Sequence, residues 1–153
     1  MLTMHINLIN KALAQFTNFN FNSYCHFCGK YLGANSDGIF ELTGETDNGS
    51  HIKAMFEPVM TDFGISHPKR MRFVYIGMET YGDLSITCMP EGEDSKTYTI
   101  EQGHDGQQRR RVAIGRDNGY GHYWTFRIEN RDGCDFSVDS IDILPVVLPN
   151  GHN

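Results

Sequence analysis

The sequence predicts an all-β fold, an antiparallel β-sandwich of jelly-roll or immunoglobulin-like type with a short helix or arm at its N-terminus. Three observations lead there. The segment from Tyr123 to Leu148 opens with strict alternation. Trp124, Phe126 and Ile128 share one side of an extended chain, and Thr125, Arg127 and Glu129 share the other. Successive side chains of a strand point to opposite faces, so period two with one apolar row marks a half-buried strand. Turn signals then recur roughly every ten residues along the chain, the spacing of a sandwich or barrel built from short strands. Finally, ten Phe, seven Tyr and one Trp supply large apolar area in a chain that is only 39 % hydrophobic, and aromatic side chains bury the most area each.

Taken in order, residues 1–16 are the arm or short helix. Ile6, Ile9, Leu13 and Phe16 recur at helical spacing, although extended chain also accommodates Leu8, Asn10, Ala12 and Ala14. Residues 17–153 form a single β-sandwich domain. In Thr17–Ser23, Phe19 and Phe21 oppose Asn18, Asn20 and Asn22, again an extended pattern. Tyr24–Leu32 continues as one strand, Asn35-Ser36-Asp37-Gly38 turns, and Ile39–Leu42 returns as the second half of a hairpin. After a polar loop at 44–50, His51–Met60 alternates Ile52, Ala54 and Phe56 against His51, Lys53 and Met55.

Lys69–Thr80 is a long strand with Met71, Phe73 and Tyr75 on one side and Arg72, Val74 and Ile76 on the other. Both sides are largely apolar, which places it centrally in a sheet. Leu84, Ile86 and Cys88 alternate next, Thr97–Ile100 returns, and Arg111–Ile114 is short. The strand at Trp124 leads through the turn Asn130-Arg131-Asp132-Gly133 into Phe136, Val138 and the apolar run Ile141–Leu148, read as a hairpin around the only indole. Pro145 cannot donate to a ladder, so this last strand lies at an edge or bends.

Composition bounds the function. The net charge of −6 weighs against nucleic acid, whose binding needs a basic field. The run Arg109-Arg110-Arg111 reads as a solvated strand edge that resists edge-to-edge pairing. The longest apolar run is far shorter than a bilayer span, and no secretory leader is evident at the N-terminus. Four cysteines in such a chain suggest reduced thiols.

The candidate motifs resolve to structural roles. Cys25-His26-Phe27-Cys28-Gly29 has redox or zinc spacing, but zinc wants four converging ligands. Cys88 and Cys134 stand far away, and a thioredoxin-type site needs a helix after the strand. The thiols therefore read as buried and inert. Asp132, Asp135, Asp139 and Asp142 do not follow the spacing of a calcium loop and read as turn caps and outer-face residues. The seven His are scattered without an HExxH pair, no GxSxG elbow occurs, and Glu79 and Glu91 have no fixed separation. No catalytic, cofactor-binding or metal-ligating residue is assigned. Tyr120 and Tyr123, beside glycine-rich loops, are suited to stacking on sugar and equally to packing.

The ordered phrases NFNFNSYCHFCGKYLGANSDGIFELTGETDNG, TDFG, KRMRFVYIGMETYGDLSIT and VAIGRDNGYGHYWTFRIENRDGCDFSVDSIDILPVVL resemble a group of small proteins encoded among the tail and baseplate genes of tailed bacteriophages and prophages. The resemblance covers about residues 17–148. It is sharpest at Gly121–Trp124 with Asn130–Phe136, and at Lys69-Arg70, Ile76-Gly77 and Glu79-Thr80. Relatives in that group close with basic residues, where this chain has Pro149-Asn150-Gly151-His152-Asn153.

The resemblance implies a virion structural protein without enzymatic activity, a tail or baseplate component acting through protein–protein contacts. The expected partners are other tail or baseplate proteins and further copies of the chain in a homo-oligomer or ring, with no nucleic acid, membrane or cofactor. The expected location is the virion, after synthesis in the host cytoplasm. The alternative expectation is a carbohydrate-binding β-sandwich module that contacts the host surface through Tyr120 and Tyr123.

Overall fold

A computed structural model describes residues 2–44 and 46–148. Every regular element among them is a strand, and the strands pair antiparallel in several sheets. The all-β expectation therefore holds. The expected boundary at residue 16 does not match the structure, which divides into two compact units, Met1–Gly44 and Glu45–Asn153. Pro149–Asn153 lie outside the described residues.

In the first unit β1 (Thr3–Ile6) pairs with β2 (Leu13–Phe16), so the N-terminal segment is a hairpin and not a helix. Its loop shows why. Asn7 Oδ1 accepts from the backbone N–H of Ile9 (2.9 Å) and Asn10 (3.4 Å), and Asn10 Oδ1 accepts from Ala12 N–H (2.9 Å). Asparagine side chains that bond nearby backbone offer the chain an alternative to helix, and that outweighs the helical spacing of the apolar residues. A meander follows, β3 (Ser23–Phe27), β4 (Lys30–Asn35) and β5 (Gly38–Glu41).

The sequence reading ran one strand through Tyr24–Leu32. The structure breaks it at Cys28-Gly29, both with positive φ (49° and 78°). Phe27 faces Lys30 across them, which makes a two-residue hairpin turn whose left-handed backbone suits Gly at its second position. Aromatic rings hold this unit together. Phe16–Phe19, Phe19–Phe21 and Phe21–Phe40 have centroids 5.3, 4.9 and 5.6 Å apart. Residues 17–44 join the N-terminal hairpin through these rings, which is why the boundary falls later than expected.

The second unit contains β6 (Thr46–Asp47), β7 (Ser50–His51), β8 (Met55–Phe56), β9 (Lys69–Thr80), β10 (Leu84–Pro90), β11 (Lys96–Ile100), β12 (Gly106–Ala113), β13 (Trp124–Asn130) and β14 (Phe136–Val147). The strand expected over His51–Met60 is reduced to β8 and the end of β7. One sheet has the order β11-β10-β13-β8 and the other β12-β9-β14. Their facing rows make a single core. Met71, Val74, Ile76, Met78 and Val112 come from one sheet, and Leu84, Ile86, Cys88, Ile100, Trp124, Phe126 and Ile128 from the other. This is a β-sandwich.

The pairings show how the chain winds. β10–β11, β9–β12 and β8–β13 are nested pairs of one long ribbon, folded over so that β10 also meets β13 and β9 meets β14. That is the winding of a jelly roll, with no strand among the described residues in the position of its first.

Two local expectations are corrected. β13 and β14 do not form a hairpin. Asp132-Gly133 makes a turn with Cys134 N–H on Arg131 O (3.2 Å), and the chain then crosses to the other sheet. The alternation read along β9 is broken at Arg72, because Leu144 pairs with Phe73 while Pro145 pairs with Met71. A bulge inserts one residue and flips the face that follows. Met71 thus joins Val74 and Ile76 inside, and Phe73 and Tyr75 turn outward. The central position of β9 and the edge position of the strand carrying Pro145 agree with the sequence reading.

Trp124 has 0 % exposure. Its Nε1–H donates to Lys69 O (3.2 Å) and Gly121 O (3.3 Å). Replacing it with Phe removes ring volume and leaves both carbonyls without that donor. Trp124→Phe should lower unfolding stability by about 3 kcal/mol, read from urea unfolding followed by far-UV circular dichroism. A loss under about 1 kcal/mol would contradict the account.

Cys88 is buried in the core, and burial pushes its thiol up from 9.0 to about 12. A raised folded-state pKa means the native state holds its proton longer. The stabilisation is complete below pH 9.0 and is lost as pH climbs toward about 12, at no more than about 1.4 kcal/mol per pH unit. Burial raises Tyr98 as well, in the same direction. Unfolding titrations across that alkaline window should show a shallower fall for Cys88→Ala than for the native chain.

Candidate functional site

The most distinctive surface of the second unit is the open side of β14. A complete jelly roll pairs its last strand with its first. Among the described residues, β14 is paired with β9 alone. Its inward row, Phe136, Val138, Ile141 and Ile143, packs against the core but stays half-buried, whereas Val74, Ile76 and Met78 on β9 are fully buried. The next strand would normally cover that row. Two irregularities interrupt the edge, one between Val138 and Ser140 and one at Leu144/Pro145. Between them runs a regular stretch, Ser140–Leu144. The strand that faces the vacant position, β8, is short, and Met55 and Phe56 are exposed.

The first unit offers a second surface. One face of its hairpin, with Thr3, His5 and Phe16, turns toward the aromatic cluster. Thr3 Oγ1 donates to Phe19 O (3.1 Å), and the Phe16 ring meets His5 and Phe19. The other face carries Met4, Ile6 and Leu13, all exposed, and the loop between the strands puts Leu8 and Ile9 at 74 % and 94 % exposure. Single exposed apolar residues are ordinary, but a contiguous group of this kind marks an interaction surface.

The structure places the remaining sequence candidates apart from one another. Cys25 and Cys28 are exposed on β3 and its turn, Cys134 is half-buried, and only Cys88 is buried. The expectation of buried thiols thus fails for three of the four. For Cys25 and Cys28 the reason is the short turn at Cys28-Gly29, which keeps the motif at a hairpin tip, and Cys134 sits in the turn after β13. No group of three or more His, Cys, Asp or Glu among the described residues converges as metal ligands.

The arginine run lies on β12, an edge strand. Arg109 crosses over the Tyr75 ring (5.5 Å to its centroid) and reaches Asp142 (2.7 Å), and Arg111 lies 5.0 Å over Phe73. The Arg109–Asp142 pair is well exposed, so it contributes less than about 1 kcal/mol. Asp139 and Asp142 are outer-face residues of β14, and Asp132 sits in the turn. Tyr120 and Tyr123 are both exposed on the loop before β13.

Lys69 escaped the sequence reading. It was read only as the first residue of a strand, and it is fully buried. Its Nζ donates to His67 O (3.4 Å) and, at short range, to His122 O. Burial lowers its pKa, with Asp62 acting weakly against that shift. Asn118 is also buried. Its Oδ1 accepts from Tyr98 Oη–H (3.1 Å), while its Nδ2 has no partner. Nothing in either residue's local sequence signals burial, because both are placed by loops that meet only in the folded state.

No protein-family model and no curated protein sequence matches this chain.

Proposed function

We propose that this protein is a structural component of a tailed-bacteriophage particle, a tail or baseplate part that works through protein–protein contacts and performs no chemistry. It would assemble with other tail or baseplate proteins and with copies of itself in a homo-oligomer or ring within the virion, after synthesis in the host cytoplasm. The observation that carries the reading is the vacant strand position along β14, with its half-buried apolar row. A strand from a neighbouring subunit adds main-chain hydrogen bonds there and covers that row, the β-augmentation mode of recognition. Repeated use of one such contact builds rings or shells. The exposed hairpin face supplies a second contact of the same apolar character, and the resemblance to tail-region proteins points to the same class.

Deletion of residues 1–16 is expected to abolish incorporation into particles while Trp124 emission stays at the blue end, reporting an intact second unit. Normal incorporation of the shortened chain would remove the hairpin from the reading. Charging the β14 row with Val138→Lys and Ile141→Lys should reduce the full-length oligomer to monomer in light scattering. A native chain that is monomeric at high concentration would overturn the edge-pairing account itself.

The second reading, a carbohydrate-binding module, draws on the exposure of Tyr120 and Tyr123. It expects glycan-array binding that Tyr120→Ala and Tyr123→Ala abolish. Absence of any bound glycan at high protein concentration would discard it.

A further inference from the structure

Beside the bulge of β9 lies a cleft of about 470 Å³, and it belongs to neither surface described above. Its origin is the unequal length of neighbouring strands. The β12 ladder ends where Ala113 meets Phe73, and beyond it only Ile114 N–H still reaches Arg72 O (3.0 Å). β14 continues on the other side to Val147. The notch left by β12 is floored by Phe73, Ile114 and Val146 and rimmed by Arg70, Arg72 and Arg116.

The charge on this rim is unbalanced. Among the described residues, the four ion pairs involve Lys30, Lys96, Arg109 and Arg127, and none of the three rim arginines has a carboxylate within reach. No acidic residue lines the cleft. The chain as a whole carries a formal charge of −6, so three arginines lining one notch, in no ion pair among the described residues, run against the general field. Like charges held together repel, and an anion between them relieves that repulsion. A guanidinium fork matches the oxygens of a carboxylate or phosphate in two-point fashion, which a lysine does not. The floor is different in kind. The guanidinium carbons of Arg72 and Arg111 lie over the Phe73 ring, 5.3 and 5.0 Å from its centroid, so the apolar lining meets the cations directly. A few polar groups around an apolar floor, in a volume of several hundred cubic ångströms, is the make-up of a small-molecule site.

We propose that this cleft binds a small organic anion, a carboxylate or phosphate carried on a ring or other apolar body, with the oxyanion between Arg70, Arg72 and Arg116 and the body on Phe73, Ile114 and Val146. The proposal does not depend on assembly through β14. The phosphate and carboxylate forms share one chemistry, and the probes separate them.

Isothermal titration of the full chain with phenyl phosphate, benzoate, inorganic phosphate and phenol tests it. Phenyl phosphate or benzoate is expected to bind saturably at one per chain, and the stronger of the two identifies the preferred oxyanion. Inorganic phosphate should bind about tenfold more weakly or less, and phenol should not bind. Arg72→Gln with Arg116→Gln, both at exposed positions, should weaken the aryl anion by about tenfold or more, since each removes a charge-assisted hydrogen bond to the oxyanion. Arg127→Gln, whose side chain is engaged by Glu57 elsewhere, should leave it unchanged. Circular dichroism establishes that each variant is folded. Three results would overturn the proposal: no saturable binding by either aryl anion, equal affinity for inorganic phosphate and phenyl phosphate, or undiminished binding in the folded double variant.

Discussion

The second unit is organised by a single donor that has to be satisfied out of water. An indole N–H with no solvent access and no partner costs about 1–3 kcal/mol. Trp124 meets the demand with two carbonyls at once, Lys69 O and Gly121 O. Lys69 and Gly121 also exchange both backbone hydrogen bonds at 3.0 Å, so one side chain ties the start of β9 to the loop before β13. The ammonium of Lys69 then reaches back to His67 O and His122 O, and His122 Nδ1 lies 2.9 Å from Ser66 O. Two loops from opposite sheets are thereby laced together around a buried cation. A Cβ on Gly121 would stand 3.2 Å from Glu91 N and from Tyr123 O, and backbone does not yield as a flexible side chain does. The resemblance phrase Gly121–Trp124 is thus a packing requirement, with no chemical role needed to explain it.

That lacing sets where β9 begins, and the bulge at Arg72 follows within a few residues. The bulge returns Met71 to the core, turns Phe73 and Tyr75 outward, and opens the notch beside β12. On the far side β14 follows β9 with an irregularity of its own at Asp139 and meets the β9 bulge at Leu144/Pro145, and the stretch between them is short. An incoming strand meets only a handful of regular positions there before Asp139 or Pro145 stops it. Natural sheets protect edges with such features, and in the assembly proposed above the same features would leave a defined landing site for one partner. Covering the row from Phe136 to Ile143 removes apolar surface from water at ~25 cal/mol per Å², while the backbone bonds fix direction and register. Affinity and geometry therefore come from different atoms of the same strand.

Much of this was legible in the sequence. Alternation at Trp124–Glu129 and Leu84–Cys88 located the buried rows, Pro145 pointed to an edge or bent strand, and the lone indole marked the core. The failures share a physical cause. A bulge at Arg72, a turn hidden in Cys28-Gly29 and the crossover after Asn130 each change direction within one or two residues, and period-two patterns carry no signal for that. The Asn7 and Asn10 side-chain bonds that close the first hairpin are likewise invisible to hydrophobic spacing. Of the candidate surfaces, the exposure of Tyr120 and Tyr123 was foreseeable from their glycine-rich surroundings. The open side of β14 and the arginine cleft were not, because both arise from strands of unequal length lying side by side.

The exposed hairpin of the first unit bears on how assembly and folding are coupled. A two-stranded ribbon is marginal in water without something packed on a face. β1 and β2 have that support on one face only, from Phe16 and Phe19, while Met4, Ile6 and Leu13 face solvent. The loop at the tip is nevertheless ordered by its own asparagines, which hold Leu8 and Ile9 outward on a polar frame. The apolar tip is therefore presented by a built turn and does not result from slack chain. A partner that covers this face binds the folded ribbon and not the unfolded one, so it stabilises the unit by mass action. The first unit would accordingly gain most of its rigidity from such a partner, while the second already has its own core, held by Trp124.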